Sequence, residues 1–121
     1  DGNRLKKIRS KNGVTITLDD QSGQERFIAE TPGGQRLTLA DGPGTITIED
    51  SNGNTVELAA AGITVTAAAK VKVEAATVEV TAGVVDVQSA LAKFSGIIQC
   101  QTLVTTSVVS SSYTPGAGNV W

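Results

Sequence analysis

The chain has 121 residues, a net charge of −2 and 40% apolar residues, enough for one domain but without the basic excess that would point to nucleic acid. It has no His or Met, and only one Cys, one Trp, one Tyr and two Phe. This leaves no Ser-His or Cys-His pair for catalysis, no intramolecular disulfide, and too few rings to fill a globular core. What remains is Val, Ile, Ala and Thr, a set that suits a thin stack of strands better than a globule. No stretch approaches the ~20 consecutive apolar residues of a membrane-spanning helix, and no basic start leads into an apolar run as in a signal peptide.

The chain opens on polar, basic sequence. Arg4, Lys6, Lys7, Arg9 and Lys11 form a run expected to be a solvated linker from an upstream domain, with contact to phosphate or lipid headgroups as the alternative. Val14 to Leu18 then alternates apolar and polar residues at the strand period, as do Leu37 to Leu39, Ile46 to Ile48 and Val56 to Leu58. The separators Gln21-Ser22-Gly23, Pro32-Gly33-Gly34, Asp41-Gly42-Pro43-Gly44 and Ser51-Asn52-Gly53-Asn54 carry Gly or Asn for tight turns. Spacing of this kind fits a sandwich, a barrel or a repeat stack.

From Leu58 the pattern shortens and becomes regular. Val56, Ile63, Val71, Val78 and Val85 each begin an apolar-x-apolar triplet, and the gaps AAAG, TAAAK, AAT and TAG are short enough to suggest corners in place of reversals. Repeats joined by corners indicate a β-helix or solenoid. A helix over the Ala-rich stretch is disfavoured, because its β-branched residues recur at i and i+2. In this reading Val56, Leu58, Ile63, Val65, Val71, Val73, Val78, Val80, Val85 and Val87 point inward, while Lys72, Glu74, Glu79 and Asp86 point outward. Three such units could form one coil of a single-chain β-helix. Equivalent units from three chains around one axis would enclose the small side chains better, which favours an all-β, intertwined triple-stranded β-helix built as a homotrimer.

After Lys93 the chain carries no Asp, Glu, Lys or Arg. Steps of six residues from Leu91 to Ile97 to Leu103 suggest continued winding with tighter corners, with the inward residue open within Ile97-Ile98 and Leu103-Val104. Pro115, Gly116 and Gly118 end the strand pattern. The organisation expected is one β-helical domain over 1–121: a charged, turn-rich part over 1–57, a Val/Ala-rich shaft over 58–112 and a tip over 113–121. The whole reads as the C-terminal part of a longer protein.

Chemistry-bearing groups are sparse. Asp19-Asp20 and Glu49-Asp50 look like paired acids, but neighbours on a strand face opposite ways, and acids at strand ends serve turns. The glycine pairs lack the Lys and following helix of a phosphate loop, and the acidic turns miss the calcium-binding repeat pattern. Cys100 is expected to be a small buried apolar residue. The sequence therefore implies no enzyme activity, no cofactor, no metal site and no nucleic-acid partner.

The segment RSKNGVTITLDDQSGQER, the units TITIEDSNGNTVEL and GITVTAA, and the later VKV, VEV and VDV repeats together resemble the C-terminal spike region of valine-glycine repeat G proteins (VgrG) and phage baseplate spikes of contractile injection systems. Members often carry His where Val14 follows Asn12-Gly13. The resemblance implies a membrane-puncturing needle on an upstream base domain and tail tube, assembled in a bacterial cytoplasm or phage-like particle and driven into a target membrane on firing, as in type VI secretion. An iron-bound apex needs His-x-His and is ruled out here. The resemblance then implies a blunt end that receives a PAAR-repeat tip protein or an effector, with Tyr113, Thr114, Pro115, Val120 and Trp121 as the contact residues. A trimeric adhesin or tail-fibre shaft that binds surface glycans is the alternative from another class.

Overall fold

The computed structural model describes residues 4–114. Seven strands follow one another: β1 (Leu5–Arg9), β2 (Thr15–Asp19), β3 (Arg26–Glu30), β4 (Arg36–Ala40), β5 (Thr45–Glu49), β6 (Thr55–Ala59) and β7 (Gly62–Thr66). They form a single sheet in which each strand pairs antiparallel with the next in sequence. No helix occurs among the described residues. The alternating segments expected at Val14–Leu18, Leu37–Leu39, Ile46–Ile48 and Val56–Leu58 are β2, β4, β5 and β6, and all four expected separators are turns. Gly23, Gly34, Gly44 and Gly53 stand in those turns at positive φ, a region that no other residue type enters among the described residues.

Two strands carry no clean alternation. The basic run is not a linker: Leu5 to Arg9 forms edge strand β1, paired with β2 from Leu5↔Asp19 to Arg9↔Thr15. β3 reads Arg-Phe-Ile-Ala-Glu, three apolar residues in succession. Its register explains them, since Phe27 and Ala29 join the apolar side, and Ile28 lies opposite Thr17 and Thr38 on the other.

A second correction concerns the gap AAAG. A corner was expected there, yet β6 and β7 pair antiparallel from Thr55↔Thr66 to Ala59↔Gly62, so the chain reverses at Ala60-Ala61. Gly62, at φ 138, supplies the backbone angle that allows so short a reversal.

Register divides the sheet into two unlike faces. One carries Ile8, Ile16, Leu18, Phe27, Ala29, Leu37, Leu39, Ile46, Ile48, Val56, Leu58, Ile63 and Val65, each opposite an apolar partner on every neighbouring strand except beside Lys6 at the edge. The other carries Thr, Glu, Arg and Asp, and Thr38 stands directly opposite Thr47. The best-covered residues are Asp19, Thr17 and Ala40, all on the polar face, and among the described residues no large side chain is fully buried. The described part of the single chain thus has an ordered sheet and no apolar core.

Beyond β7 no residue up to Thr114 is in a strand. Chain contacts divide after Val78 into two units, and past β7 the local backbone of each is a series of segments outside any strand, separated by bends. Bends fall at Ala68-Ala69, Ala76, Gly83 and Ala90, about seven residues apart, and then at Ser95-Gly96, Gln101, Thr106 and Ser111-Ser112, five or six apart. The seven-residue period agrees with the spacing of the apolar triplets, and the shorter later steps are close to the six-residue spacing of Leu91, Ile97 and Leu103.

Candidate functional site

The features that could carry function are the uncovered side of the sheet and the unpaired segments after it. At one end of the sheet the apolar side forms an open concavity that includes Val14, Ala29, Leu37, Ile48, Val56, Val65 and Val71. Three of the expected inward residues, Val56, Val65 and Val71, are brought together there. Leu58 and Ile63 face each other further along the same side. Ile48 is 51% exposed and Ile63 70%, a state that apolar residues in such number do not keep in water without a covering partner.

The polar side is held by charge. Asp19, 3% exposed, receives Arg4 Nε on Oδ1 and Arg26 Nη2 on Oδ2, each at 3.1 Å, together with the Gln21 backbone N–H at 3.2 Å. Burial alone would raise the pKa of this carboxyl; the bonds from Arg26, Gln21 and Arg4 outweigh it and hold the group below its ordinary value. Further along, Arg36 lies in register between Glu30 and Glu49 and reaches them at 3.0 and 3.8 Å. The carboxylates that looked like pairs are separately engaged: Asp19 and Glu49 on this face with arginines, Asp50 within the turn that follows β5.

Asp50 is the hub of that turn. Its Oδ1 accepts the backbone N–H groups of Asn52 and Asn54 at 2.9 and 3.0 Å, and its Oδ2 accepts the Asn54 side-chain amide at 2.8 Å. The Asn54 and Asn52 donors bring its pKa down to about 2. This network was not apparent from the sequence, where Asp50 stood only as half of a doublet; the signal was the spacing Asp-x-Asn-Gly-Asn, which places two amides within reach of one carboxylate.

In the repeat two polar pairs form within single triplets. Lys72 Nζ meets Glu74 Oε1 at 2.7 Å, and Gln88 donates to Asp86 at 3.1 Å; the members of each pair are two residues apart, the spacing that the alternating pattern gives to its polar positions. Hydroxyl-to-carbonyl bonds span three of the bends, from Ser89 to Leu91, Thr105 to Ser107 and Ser110 to Ser112. Serine and threonine thus stabilise corners with no help from another strand.

The backbone between corners has no such help. Among the described residues from Val71 to Thr114, no backbone N–H donates to a backbone carbonyl of the same chain. Val73, Val78, Val80, Val85 and Val87 are 58 to 70% exposed. Cys100, expected to be buried, is exposed in the isolated chain, because no neighbouring segment covers it. Tyr113 and Thr114 are exposed; Pro115, Val120 and Trp121 lie outside the described residues.

Strand-length segments without partners, continuing from a sheet with one bare apolar side, define a structural domain completed by association. The chain belongs to the family of the phage baseplate V C-terminal trimerisation domain, which matches residues 26–92. That span starts at β3, runs past the bend at Ala90 and contains every expected inward residue from Val56 to Val87. Membership gives the chain a structural role in a baseplate or spike and self-association into trimers. No curated protein matches the chain.

Proposed function

We propose that three copies wind about one axis into an intertwined β-helix, and that this shaft is the piercing needle of a contractile injection apparatus. The supporting observation is the stretch from Val71 to Thr114: segments between regularly recurring bends, alternating apolar and polar residues in its triplets up to Val87, and no backbone-to-backbone hydrogen bond in the single chain. Unpaired backbone groups and bare valines have the same remedy, which is a neighbouring chain at the same height. Strands stacked ~4.8 Å apart along the axis then form a continuous hydrogen-bond ladder, so that bending or compression strains many bonds together.

In this reading Val56, Leu58, Ile63, Val65, Val71, Val73, Val78, Val80, Val85 and Val87 line the shared interior. At ~1.5 to 3 kcal/mol for each fully buried Val or Ile, their burial far exceeds what the sheet alone can gain. The work is mechanical, with no reaction and no cofactor. The uncharged end, with Tyr113 and Thr114 exposed, receives a PAAR-repeat tip protein or an effector, and the other end continues from a base domain and tail tube. Mass in solution tests the assembly: three times 12.4 kDa is expected, and a stable monomer at working concentrations overturns it. Co-purification of the trimer with a PAAR-repeat protein tests the tip; an intact trimer that retains none removes that role and leaves the shaft.

A further inference from the structure

The turns at one end of the sheet are fastened to one another in a row that ends where the repeat begins. Gly13, after β1, lies beside Pro32, after β3, where a Cβ at 13 would be in van der Waals contact with the Pro32 Cβ at 3.4 Å. Gln35, before β4, grips the next turn, donating to the Ser51 hydroxyl at 3.2 Å and accepting the Ser51 backbone N–H at 3.0 Å. That turn in turn grips the chain leaving β7: Asn54 Oδ1 accepts the Ala68 backbone N–H at 2.9 Å, and a Cβ at Gly53 would touch the Ala68 Cβ at 3.6 Å. Ala68 is the first residue of the first bend, and the later bends at Ala76, Gly83 and Ala90 are counted from it.

Asn54 holds Ala68 in one orientation only. Its Nδ2 donates to Asp50 Oδ2 at 2.8 Å, which turns Oδ1 toward Ala68. Asp50 is itself fixed by the backbone N–H groups of Asn52 and Asn54. With its acid pKa near 2, the carboxylate stays ionised and acceptor-only at any ordinary pH, so the Asn54 amide does not flip.

We propose that the Asp50–Asn54–Ala68 relay is the register pin of the shaft, setting the residue at which the chain leaves the sheet and therefore which side of every later segment faces the axis. The inference rests on the intertwined-shaft reading above. A strand displaced by one residue turns its whole inward set outward, and past Ala68 the chain has no backbone ladder of its own to resist the slip. The valine triplets alone do not prevent it either, since Val84-Val85 offers two adjacent apolar residues and Ile97-Ile98, Leu103-Val104 and Val108-Val109 repeat the ambiguity. A fixed starting point resolves all of them together.

The relay can be broken and rebuilt by near-isosteric exchanges, or removed outright by truncation. Asn54→Asp keeps an acceptor for Ala68 but sets two carboxylates against each other, and Asn54→Ala removes both bonds. The exchange Asp50→Asn with Asn54→Asp restores the pair with donor and acceptor reversed: the amide at 50 still accepts the two backbone N–H groups and donates to the carboxylate at 54, which still accepts Ala68. Hydrogen exchange followed by mass spectrometry on the purified chain, with mass in solution measured in parallel, reads the outcome. Expected is one slowly exchanging population over Val71 to Val87 in the native trimer, and in both single variants a split into two populations or exchange faster by roughly tenfold, with β2 to β5 still protected. The exchanged pair should return to within about twofold of the native rate. Native-like exchange in the single variants, or no recovery in the exchanged pair, overturns the pin. A native chain that is monomeric and unprotected over Val71 to Val87 overturns the shaft reading itself, so the two failures are distinguishable.

Discussion

The sheet from Leu5 to Thr66 and the segments from Val71 onward meet the same two demands of water in opposite degrees. In the sheet every strand finds its hydrogen-bonding neighbour in its own sequence, and what is left over is one apolar side. In the repeat neither demand is met: the backbone between bends is unpaired and the valines are bare. The difference is one of loop closure. Turns such as Asp50 to Asn54 return the chain on itself after five residues of strand, so pairing is local and entropically inexpensive, whereas a single-residue bend at Ala76 or Gly83 sends the chain onward, and its partner must come from elsewhere. One chain thus carries a region that pairs its own backbone and needs a partner only for its apolar side, and a region that needs a partner for both.

The largest expected effect separates the two directly. If Val78 lines an interior shared by three chains, Val78→Asp places three carboxylates there, at a cost on the order of several kcal/mol per chain, and should reduce the mass in solution to 12.4 kDa; Glu79→Val, one residue on and facing out in the same reading, should leave the trimer intact. If both behave alike, the two sides of the repeat are not distinct. Next is Ile48→Ala on the apolar side of the sheet. If three copies cover that side, denaturant unfolding should register a loss of about 2 to 4 kcal/mol per chain; a loss below ~1 kcal/mol would mean that the side stays wet.

Acid provides a third, smaller contrast. Asp19 and Asp50 have folded-state pKa values lowered from 3.8, Asp50 to about 2. Carboxyls depressed in this way contribute stability that is fully present above 3.8 and declines as pH falls toward 2. Thermal melts should therefore be flat from pH 7 to about 4.5 and fall below that, with the loss reduced in Asp19→Asn; a melting midpoint that falls between pH 7 and 5 contradicts these assignments. The smallest effect belongs to Arg36→Ala, whose pairs with Glu30 and Glu49 are exposed to solvent. A change of about 0.2 to 1 kcal/mol with unchanged mass is expected by chemical denaturation.

Much of this was legible in the residues. Period-two alternation marked β2, β4, β5 and β6, and glycine marked the turns, because half-buried strands and positive φ each leave a direct compositional trace. β1 and β3 were not legible for a physical reason: β1 is an edge strand, so its lysines are tolerated on both sides, and Ile28 in β3 occupies a threonine-lined face where a hydroxyl would have preserved the alternation. The gap AAAG misled because Ala is neutral between a corner and a reversal, and Gly62 decided for reversal. The valine triplets of the repeat were legible as a pattern, and their spacing matches that of the bends. The Asp50 network was legible only as spacing, since which amide turns toward which carboxylate depends on where Ala68 lies, a contact between positions separated by two strands.

The basic character of β1 has a consequence for how large the object can grow. A strand at the margin of a sheet offers free backbone donors and acceptors to any passing strand, and repeated addition there produces fibres. With Lys6, Lys7 and Arg9 on a strand of five residues, a second copy approaching antiparallel would lay cations against cations. The margin repels its own duplicate, and lateral growth into aggregates is discouraged from the outset.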